Sequence, residues 1–565
     1  MEDLFAGVGE RSTTDKLNEY QSVIAGLSDA QRRAVTHEDG PLIVLAGPGT
    51  GKTRVITSRV AHMIHERGIE PDRVAAVTFT NKAAGELRER LAKLVGQTQA
   101  ARIHASTFHS LGLGIVRRFA DLLGLPGDPM IMDSAQRNRL IRDIIRDERL
   151  YRKSLSTGIS AAIDHARGTM ESLRHLGMDA QAAQSWLDDA RNDIGEYEQS
   201  DRDARSAELD RFADAIGVYG HFEQRTREHG WIVIDDLIML PTKLIRENPM
   251  VASIVHHDFK HLVVDEFQDV NLGQIEMIRA ICPPSDRADV CVVGDDDQSI
   301  YGFRGADDRA FAHFAGIWTH AQTVQLTTNY RSAEVIVEAS NASIVRAQSR
   351  FAPDKEADAH RGDVEGSAIQ LVKMDDDYRA GEAIASMLLD MASTGGEEFS
   401  FSSCAVIARS GAFLEQIAQN LLLEGIPIDM REKVSPMEDE GARDVFAWAR
   451  LIVDPESAPN LQRVLTRPPY RVDPVKLNAL FGSYRAARSR YEQEAQDPDA
   501  MIRDPGTLVG WVLDRSEGTM RDRVEAMHRL LTELGYVASE QRAAEAITEI
   551  IKRTGVVHRD MSDGR

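Results

Sequence analysis

The chain has few of the residues that build disulfide frames and no segment typical of a membrane span. Its 565 residues include only three cysteines, which are far apart and lack CxxC spacing: Cys282, Cys291 and Cys404. We interpret them as ordinary thiols in a reducing, cytoplasmic compartment rather than as disulfides or an iron–sulfur site. The sequence contains no uninterrupted run of about 18 apolar residues, the length that could span a bilayer. The acidic start MEDLFAGVGERSTTDK has no apolar signal core, so we expect neither export nor membrane insertion.

Positive charge is also scarce. The chain has 67 Lys and Arg against 89 Asp and Glu, which gives a formal net charge of −22. Taken alone, this balance argues against a polyanionic partner because long-range repulsion opposes binding. A groove needs only local positive charge, however, and the acidity is interpreted as a contribution to solubility. The composition, 42% hydrophobic and 28% charged, is typical of a folded globular protein. The length predicts roughly three to four domains of about 150 residues each.

The strongest local pattern is a glycine-rich loop that follows a short apolar run. Leu42–Leu45 is predicted to be a strand, and an amphipathic helix follows the loop. Glycines allow backbone N–H groups to surround phosphates, and the helix N-terminus adds a favourable dipole. Lys52 would reach the β- and γ-phosphates of ATP and Thr53 would hold Mg²⁺; the alternative is a glycine-rich turn without a ligand. The candidate nucleotide-binding residues of the loop are Ala46, Gly47, Pro48, Gly49, Thr50, Gly51, Lys52 and Thr53.

A second pattern supplies the acidic groups that such a loop requires. In HLVVDEFQDVN, which begins at His261, an apolar strand ends in Asp265 and Glu266. The strand is typical of a buried parallel sheet. Asp265 would hold the metal through water, and Glu266 would polarise the attacking water; a surface acidic pair at a strand end is the alternative. Together the two patterns predict an NTPase with an α/β fold built on a P-loop parallel sheet.

Six further stretches, in the expected order, resemble the UvrD/Rep/PcrA group of superfamily 1 DNA helicases. Each is weak alone, but with the loop and the DEFQ strand they are specific and cover most of residues 27–332. The resemblance implies two RecA-like domains with helical insertions. The stretches are LSDAQRRAV, VTFTNKAAGELRERL, STFHSLGLGIVRR, IDDL, VVGDDDQSIYGFRGA and LTTNYRS.

By this resemblance, several residues surround ATP. Gln31 would read the adenine, and Tyr330 would stack on it. Gln298 would sense the γ-phosphate, and Arg331 would reach it across a cleft in the manner of an arginine finger. Arg54 and Arg90 are candidates for phosphate or ribose contacts, or are ordinary arginines on a helix surface. The residues expected to carry hydrolysis are Lys52, Thr53, Asp265, Glu266, Gln298 and Arg331.

The resemblance also implies a track for single-stranded DNA. Phe79, Tyr301 and Phe303 would stack on bases, an interaction that tolerates any base sequence, although the family often has Trp in place of Phe303. Core packing is the alternative role for Tyr301 and Phe303, a solvated lysine for Lys82, and a structurally satisfied histidine for His109. The residues expected to contact the sugar–phosphate chain are Asn81, Lys82, Thr107 and His109.

The predicted organisation follows the same family. The first RecA-like domain would comprise 27–118 and 230–325, with a helical insert at 119–229 and an extension of unknown role at 1–26. The second would begin at 326 and extend to 437, with SCAVIARS (403–410) as a core strand and LLLEGIPIDM (421–430) as helix, turn and strand. A partial helical accessory subdomain would occupy 438–565. The TxHxxKG-type segment and the second arginine motif of the family are not found in the chain.

The function expected from the resemblance is that of an ATP-dependent DNA helicase or translocase that moves 3′ to 5′ and serves DNA repair or replication. The expected partners are single-stranded DNA and single-strand/duplex junctions, with no membrane. A second chain or a further C-terminal segment would complete the second motor domain. The alternative is a module or fragment that binds ATP and single-stranded DNA without unwinding alone. An NTP-driven enzyme acting on something other than DNA is disfavoured by the DNA-contact motifs.

Overall fold

The computed structural model describes most of the chain. The described residues are 20–38, 40–152, 158–193, 199–347, 350–362, 369–373, 377–395, 399–430, 440–494, 504–540 and 543–554. The chain divides into two compact units, residues 1–371 and 372–565. Within the described residues, no helix is both long enough and apolar enough to cross a bilayer.

The first unit is built on a six-stranded sheet with the order β3-β2-β6-β7-β1-β8, in which all neighbouring strands are parallel. The four inner strands are buried at every residue and are rich in Val, Leu and Ala. Such runs are typical of parallel strands covered on both faces. The α/β fold class is therefore confirmed. The strands are β1 (Leu42–Ala46), β2 (Val74–Thr78), β3 (His104–Thr107), β6 (His261–Val264), β7 (Asp289–Gly294) and β8 (Gln322–Leu326).

Helices cover both faces of this sheet. Along β1, Leu42 and Val44 join one apolar core while Ile43 and Leu45 join the other. This alternation places successive side chains on opposite faces, as the strand period requires. The helices outside the insert are Asp29–Thr36, Lys52–His65, Asn81–Val95, Gln97–Ala100, Phe108–Arg118, Ala120–Leu123, Asp236–Glu247, Pro249–Asp258, Leu272–Ile281, Ala310–Ile317 and Glu334–Ile344.

Part of the predicted N-terminal extension belongs to this unit. Residues 20–25 are helical. Tyr20 is only 2% exposed and lies in the core with Leu27. Its hydroxyl is 2.9 Å from His62 Nδ1, so the segment packs against the helix that follows the glycine-rich loop.

A group of helices between β3 and β6 has an apolar core of its own. It includes Ile144, Ala166, Leu187 and Tyr219. Two short strands, β4 (Met130–Ile131) and β5 (Trp231–Ile232), pair where the chain enters and leaves this group. The helices are Ser134–Asp147, Ile159–His175, Ala180–Asn192 and Gln199–His229.

A buried ion-pair cluster lies at the amino-terminal edge of the main sheet. Asp289, the first residue of β7, accepts from Arg59 at 3.2 Å and Arg67 at 3.0 Å, and lies 2.7 Å from His261 Nδ1. Arg59 is only 1% exposed and also donates to the Ala34 and His37 carbonyls. Burial alone would raise the pKa of Asp289, but the hydrogen bond with His261 and the charges of the two arginines lower it. The cluster links the helices Asp29–Thr36 and Lys52–His65 to the first residues of β6 and β7.

The second unit is mainly helical in its described part. Helices Asp377–Thr394 and Gly411–Leu423 pack around a small core that includes Ala385, Ile417 and Leu421. A larger core that includes Leu451, Leu461 and Val512 is formed by the other helices. These are Glu440–Val453, Ala458–Thr466, Pro474–Glu494, Leu508–Arg515, Gly518–Glu540 and Ala543–Thr554.

The strands expected from sequence in this unit are wrong for this structure. Phe401–Ser403 is a 3₁₀ turn, and residues 404–408 and 426–430 have no regular secondary structure. A strand requires a neighbour to accept its backbone hydrogen bonds, and the described residues of this unit provide none. Ile407, predicted to be in a core, is 92% exposed, while the predicted helix before the turn is present as Gly411–Leu423.

Candidate nucleotide and DNA site

The predicted motifs of the first unit converge at the carboxyl edge of the main sheet. The glycine-rich loop follows β1, Asp265 follows β6 and Phe79 follows β2. The turn formed by residues 295–298, called the aspartate turn below, follows β7. Thr107 ends β3. In open parallel sheets, ligands bind in the crevice outside this edge. Residues from distant parts of the sequence are therefore brought together where a nucleotide site is expected.

The loop after β1 has the backbone geometry that its glycines permit. Gly49 and Gly51 have φ values of 72° and 87°, and Gly51 precedes the helix that begins at Lys52. Other residues strain at such φ values. At Gly49 a Cβ atom would also lie 2.5 Å from Asn329 Oδ1. The Tyr330 N–H donates to the Gly49 carbonyl at 3.0 Å, so the segment after β8 packs directly on the loop.

Two catalytic candidates face each other beside this loop. Lys52 Nζ lies 3.6 Å from Glu266 Oε2, and Glu266 has a left-handed φ of 52°. This conformation is costly for a residue with a side chain and is typical of functional sites. Burial and the neighbouring Glu266 charge raise the pKa of Asp265 to about 7. The carboxyl of Asp265 accepts from the Glu266 N–H at 2.9 Å, and a dication beside it would compensate its burial.

Gln31 lies against the same loop. It is 3% exposed, its side chain donates to the Thr50 carbonyl at 2.9 Å, and its amide completes a capping box with Ser28. Arg54 donates to the Val23 carbonyl at 3.2 Å. Arg90 pairs with Glu86 at 3.9 Å on an exposed helix face, and its charge partly opposes the rise in the pKa of Asp265 that burial causes. Both arginines are therefore near the loop or its carboxylates, and their contacts with phosphate or ribose stay predictions.

Tyr330 and Arg331 extend from the segment that covers the loop. Asn329 is 2% exposed, and its Oδ1 accepts from the backbone N–H groups of Arg331 and Ser332 at 2.8 and 2.9 Å. Tyr330 is 38% exposed, and its ring lies 4.8 Å from that of His360. Two hydrogen bonds thus hold the backbone after Asn329, while the side chains of Tyr330 and Arg331, the predicted nucleotide contacts, are accessible.

A chain of hydrogen bonds joins Glu266, the predicted catalytic carboxylate, to Gln298, the predicted γ-phosphate sensor. Gln268 donates to Glu266 Oε2 at 2.9 Å and accepts from the Asp295 N–H at 2.9 Å. Gln298 in turn donates to Asp295 Oδ2 at 2.6 Å. Asp295 is 0% exposed, and its bond with Gln268 is buried, whereas the Glu266 side chain is 37% exposed. The bonds form a continuous path from Glu266 through Gln268 and Asp295 to Gln298.

The three predicted stacking residues form one aromatic group. The Phe79 and Tyr301 rings are stacked with centroids 5.8 Å apart, and Tyr301 lies 5.9 Å from Phe303. Arg304 lies over both rings of the Tyr301–Phe303 pair, at 4.9 and 5.5 Å. Phe303 is 80% exposed, which excludes the core-packing role for its ring. The group therefore offers an exposed aromatic surface beside the Arg304 guanidinium. Two of its members, Tyr301 and Phe303, follow Gln298 by three and five residues.

The predicted backbone-contact residues differ in how free their side chains are. Asn81 and Lys82 are exposed at the start of a helix that Thr80 caps. Thr107 is 7% exposed, and its hydroxyl caps the helix Phe108–Arg118. Burial, reinforced by the nearby His175, lowers the pKa of His109 despite the charge of Asp235. The DNA roles of all four stay predictions, but the hydroxyl of Thr107 has a structural task that the sequence did not indicate.

The sequence interpretation missed several residues in this region. Asp236, in the IDDL stretch, lies 3.2 Å from Arg174 of the helical group and accepts from the Val233 N–H. Asp269 is 9% exposed, its Oδ1 has no hydrogen-bond partner among the described residues, and burial beside Glu266 raises its pKa to about 6. Gln268 and Asp269 belong to the DEFQD run. The signal available in the sequence was the mostly polar run that directly follows the buried strand β6.

Comparison with known proteins identifies the family of the chain. The UvrD/REP helicase N-terminal domain matches residues 27–316, and the UvrD-like helicase C-terminal domain matches residues 324–503. The chain is 32% identical over 455 residues to the ATP-dependent DNA helicase UvrD1 of Mycobacterium tuberculosis, covering 79% of the chain and 55% of the relative. It is 29% identical over 466 residues to the ATP-dependent DNA helicase PcrA of Bacillus subtilis, covering 82% and 58%. The chain thus spans a little over half the length of these relatives, and it belongs to the UvrD/REP helicase family.

Proposed function

We propose that this chain is the ATP-hydrolysing part of a DNA translocase that moves 3′ to 5′ on single strands and unwinds duplexes, in DNA repair or replication. The observation that carries the proposal is the direct connection between two sites. Hydrogen bonds run from Glu266 beside the glycine-rich loop to Gln298, and the exposed aromatic group begins three residues later. A motor needs its nucleotide state to change its grip on the strand, and this connection provides a short path.

ATP with Mg²⁺ is the proposed cofactor. Thr53 and Asp265 would hold the ion, which neutralises charge on the phosphates and orients them for attack by water. Lys52 would bind the terminal phosphates, and Glu266 would orient the water. The remaining contacts would come from Gln31 and Tyr330 at the base and Arg331 at the γ-phosphate.

Single-stranded DNA and its junctions with duplex are the proposed partners. Stacking on Phe79, Tyr301 and Phe303 would be independent of sequence and would outweigh the unfavourable net charge locally. Base–aromatic stacking contributes about 1–3 kcal/mol per base. Arg304, which lies over two of the rings, places positive charge beside the bases.

The test is ATP hydrolysis with and without single-stranded DNA, followed by unwinding of duplexes with a 3′ or a 5′ tail. We expect DNA to stimulate hydrolysis and only the 3′-tailed duplex to be unwound. Preference for the 5′ tail would contradict the polarity, and hydrolysis indifferent to DNA would contradict the translocase. Hydrolysis stimulated by DNA without unwinding of either duplex would support the alternative function described next.

A second candidate is a module that binds ATP and single-stranded DNA without unwinding alone. The observation that favours it is in the second unit, where apolar side chains are exposed beside segments expected to be strands. Ile407 is 92% exposed and Leu423 is 80% exposed. Exposed apolar surface can mark a site that another part of a protein covers. We propose that further strands, from the same chain or a second one, complete this domain.

A further inference from the structure

The turn after β7 contains three consecutive carboxylates in an unusually confined space. Ligand oxygens of Asp295, Asp296 and Asp297 lie within 4.8 Å of one another. Their side chains are 0%, 4% and 16% exposed. Like charges brought together away from water repel strongly unless cations compensate them. Such a group could hold a metal ion, but the space between the carboxylates is occupied by a side chain.

That side chain is Lys355, which is 58 residues or more away in sequence. Its Nζ lies 2.7 Å from Asp295 Oδ1 and 3.1 Å from Asp297 Oδ2, and it also contacts Asp296. The lysine side chain is 5% exposed. Burial alone would lower the pKa of Lys355, but the charges and hydrogen bonds of Asp295 and Asp296 raise it. The ammonium group therefore stays charged and forms ion pairs with all three carboxylates.

Arg350 supports the same contact from the other side. It forms a two-pronged pair with Asp297, with Nε at 2.7 Å from Oδ1 and Nη2 at 3.1 Å from Oδ2. The guanidinium also donates to the Pro353 and Lys355 carbonyls at 2.8 and 2.7 Å. Bidentate pairs of this kind are directionally specific. Residues 350–355 thus form a folded cap on the aspartate turn, and we refer to it as the Lys355 cap.

The turn beneath the cap carries the predicted sensor and precedes the aromatic group. Asp295 accepts from Lys355 through Oδ1 and from Gln298 through Oδ2, at 2.7 and 2.6 Å. Its N–H donates to Gln268, which holds Glu266. Lys355 therefore contacts Asp295, the residue that accepts the hydrogen bond from the Gln298 side chain.

The other end of the cap is joined to the segment that covers the glycine-rich loop. Strand β10 (Asp358–Ala359) pairs with β9 (Thr328–Asn329). The His360 N–H donates to the Asn329 carbonyl at 2.9 Å, and the His360 ring lies on Tyr330. A cavity of about 400 Å³ is lined by Lys355, Gln298, Asn329 and the loop residue Gly47. The cap thus connects the tyrosine–arginine segment with the aspartate turn around one cavity at the nucleotide site.

We propose that Lys355, supported by Arg350, is a positioning residue for ATP hydrolysis. Lys355 holds the aspartate turn so that Gln298 faces the γ-phosphate. It also transmits movement of residues 329–331 to the Tyr301–Phe303 group. The proposal rests on the proposed function for its catalytic part. Without the ammonium group, three buried carboxylates would repel one another and the turn would open. A displacement of about 1 Å in a positioning group can cost about 100-fold in rate.

The principal experiment compares Lys355→Met, Lys355→Arg and the wild-type chain. We expect Lys355→Met to lower kcat of DNA-stimulated ATP hydrolysis by about tenfold or more. The KM for ATP should stay within about twofold, because Lys355 does not contact ATP in this proposal. Lys355→Arg keeps the charge and should recover most of kcat. Lys243→Met is the control, since Lys243, on the helix Asp236–Glu247, forms a partly exposed pair with Asp179 at 2.9 Å.

Hydrogen–deuterium exchange provides a second readout that does not depend on catalysis. Lys355→Met should accelerate exchange in residues 295–304 and leave β2 unchanged. If Lys355→Met fails to fold, Arg350→Gln is the milder substitution, because Lys355 still contacts Asp297. It should give a smaller change in the same direction in both measurements.

The outcomes separate this proposal from the proposed function. Unchanged exchange in residues 295–304 would overturn the role of Lys355, whatever the enzymatic activity. Faster exchange with unchanged kcat would also overturn it, as would an equal loss in Lys355→Met and Lys355→Arg. If the wild-type chain does not hydrolyse ATP, the proposed function fails. Faster exchange would then support the holding of the turn and overturn its catalytic part.

Discussion

Replacement of Phe303 by alanine tests whether the exposed aromatic group is the DNA track. The ring is 80% exposed and lies 5.5 Å from Arg304 and 5.9 Å from the Tyr301 ring. Little apolar area is therefore buried by this side chain. An exposed cation–π contact contributes about 0.5–1 kcal/mol, so we expect the free energy of unfolding to change by no more than about that amount.

The effect on DNA should be larger than the effect on folding. Loss of one base–aromatic stack costs about 1–3 kcal/mol, which corresponds to about 5- to 150-fold weaker binding of single-stranded DNA. The DNA concentration that half-saturates ATP hydrolysis should rise by the same factor. Hydrolysis without DNA should be unchanged, since Phe303 makes none of the described contacts to the glycine-rich loop.

The assay is a titration of ATP hydrolysis with a single-stranded oligonucleotide, together with direct binding measured by fluorescence anisotropy. Ile300→Ala is the matched control because Ile300 is 69% exposed in the same turn but has no aromatic ring. Equal losses in Phe303→Ala and Ile300→Ala would indicate a general effect of exposed apolar surface. Equal losses in hydrolysis with and without DNA would refute the reasoning, because the ring would then support the fold of the nucleotide site.

Three further predictions follow from the same structure. Lys52→Ala should abolish ATP hydrolysis while single-stranded DNA binding persists, because Lys52 lies beside Glu266 at 3.6 Å and apart from the aromatic group; retained turnover would contradict the assignment of the loop. Asp289→Asn should destabilise the first unit by about 3–5 kcal/mol in denaturant unfolding, since it leaves the buried Arg59 uncompensated. The pKa of Asp289 is lowered on folding, so its stabilisation is present above the unfolded pKa of about 4 and disappears as pH falls through the lower folded value; a variant whose deficit stayed constant across that window would argue against this pair. In the native protein a thiol reagent should label Cys404, which is partly exposed, and spare the two buried cysteines. Burial excludes the reagent and raises the pKa of the Cys291 thiol to about 11. If mass spectrometry detected rapid labelling of all three cysteines, the sheet would not be packed as described.

Much of the candidate nucleotide site was predictable because its signals are local in the sequence. The glycines around Gly49, the strand before Asp265 and the helix after Lys52 each combine a pattern with the conformation it favours. Parallel strands then bring their carboxyl ends to one edge, so these residues meet without further information. The α/β class followed from the same runs, and the family resemblance came from these runs together with six further stretches.

Other contacts were decided only by the tertiary structure. The position of Lys355 depends on the pairing of two-residue strands β9 and β10, which no periodicity announces, and the lysine meets its carboxylates across about 60 residues of sequence. The expected strand at 403–410 had the right composition, but composition cannot supply the neighbouring strand that its backbone requires. Phe303 and Thr107 show the same division. The family resemblance implied contact with DNA for both, yet only packing determined that the ring is exposed and that the hydroxyl caps a helix. Local patterns specify backbone conformation and chemistry, whereas burial and long-range pairing depend on the whole chain having folded.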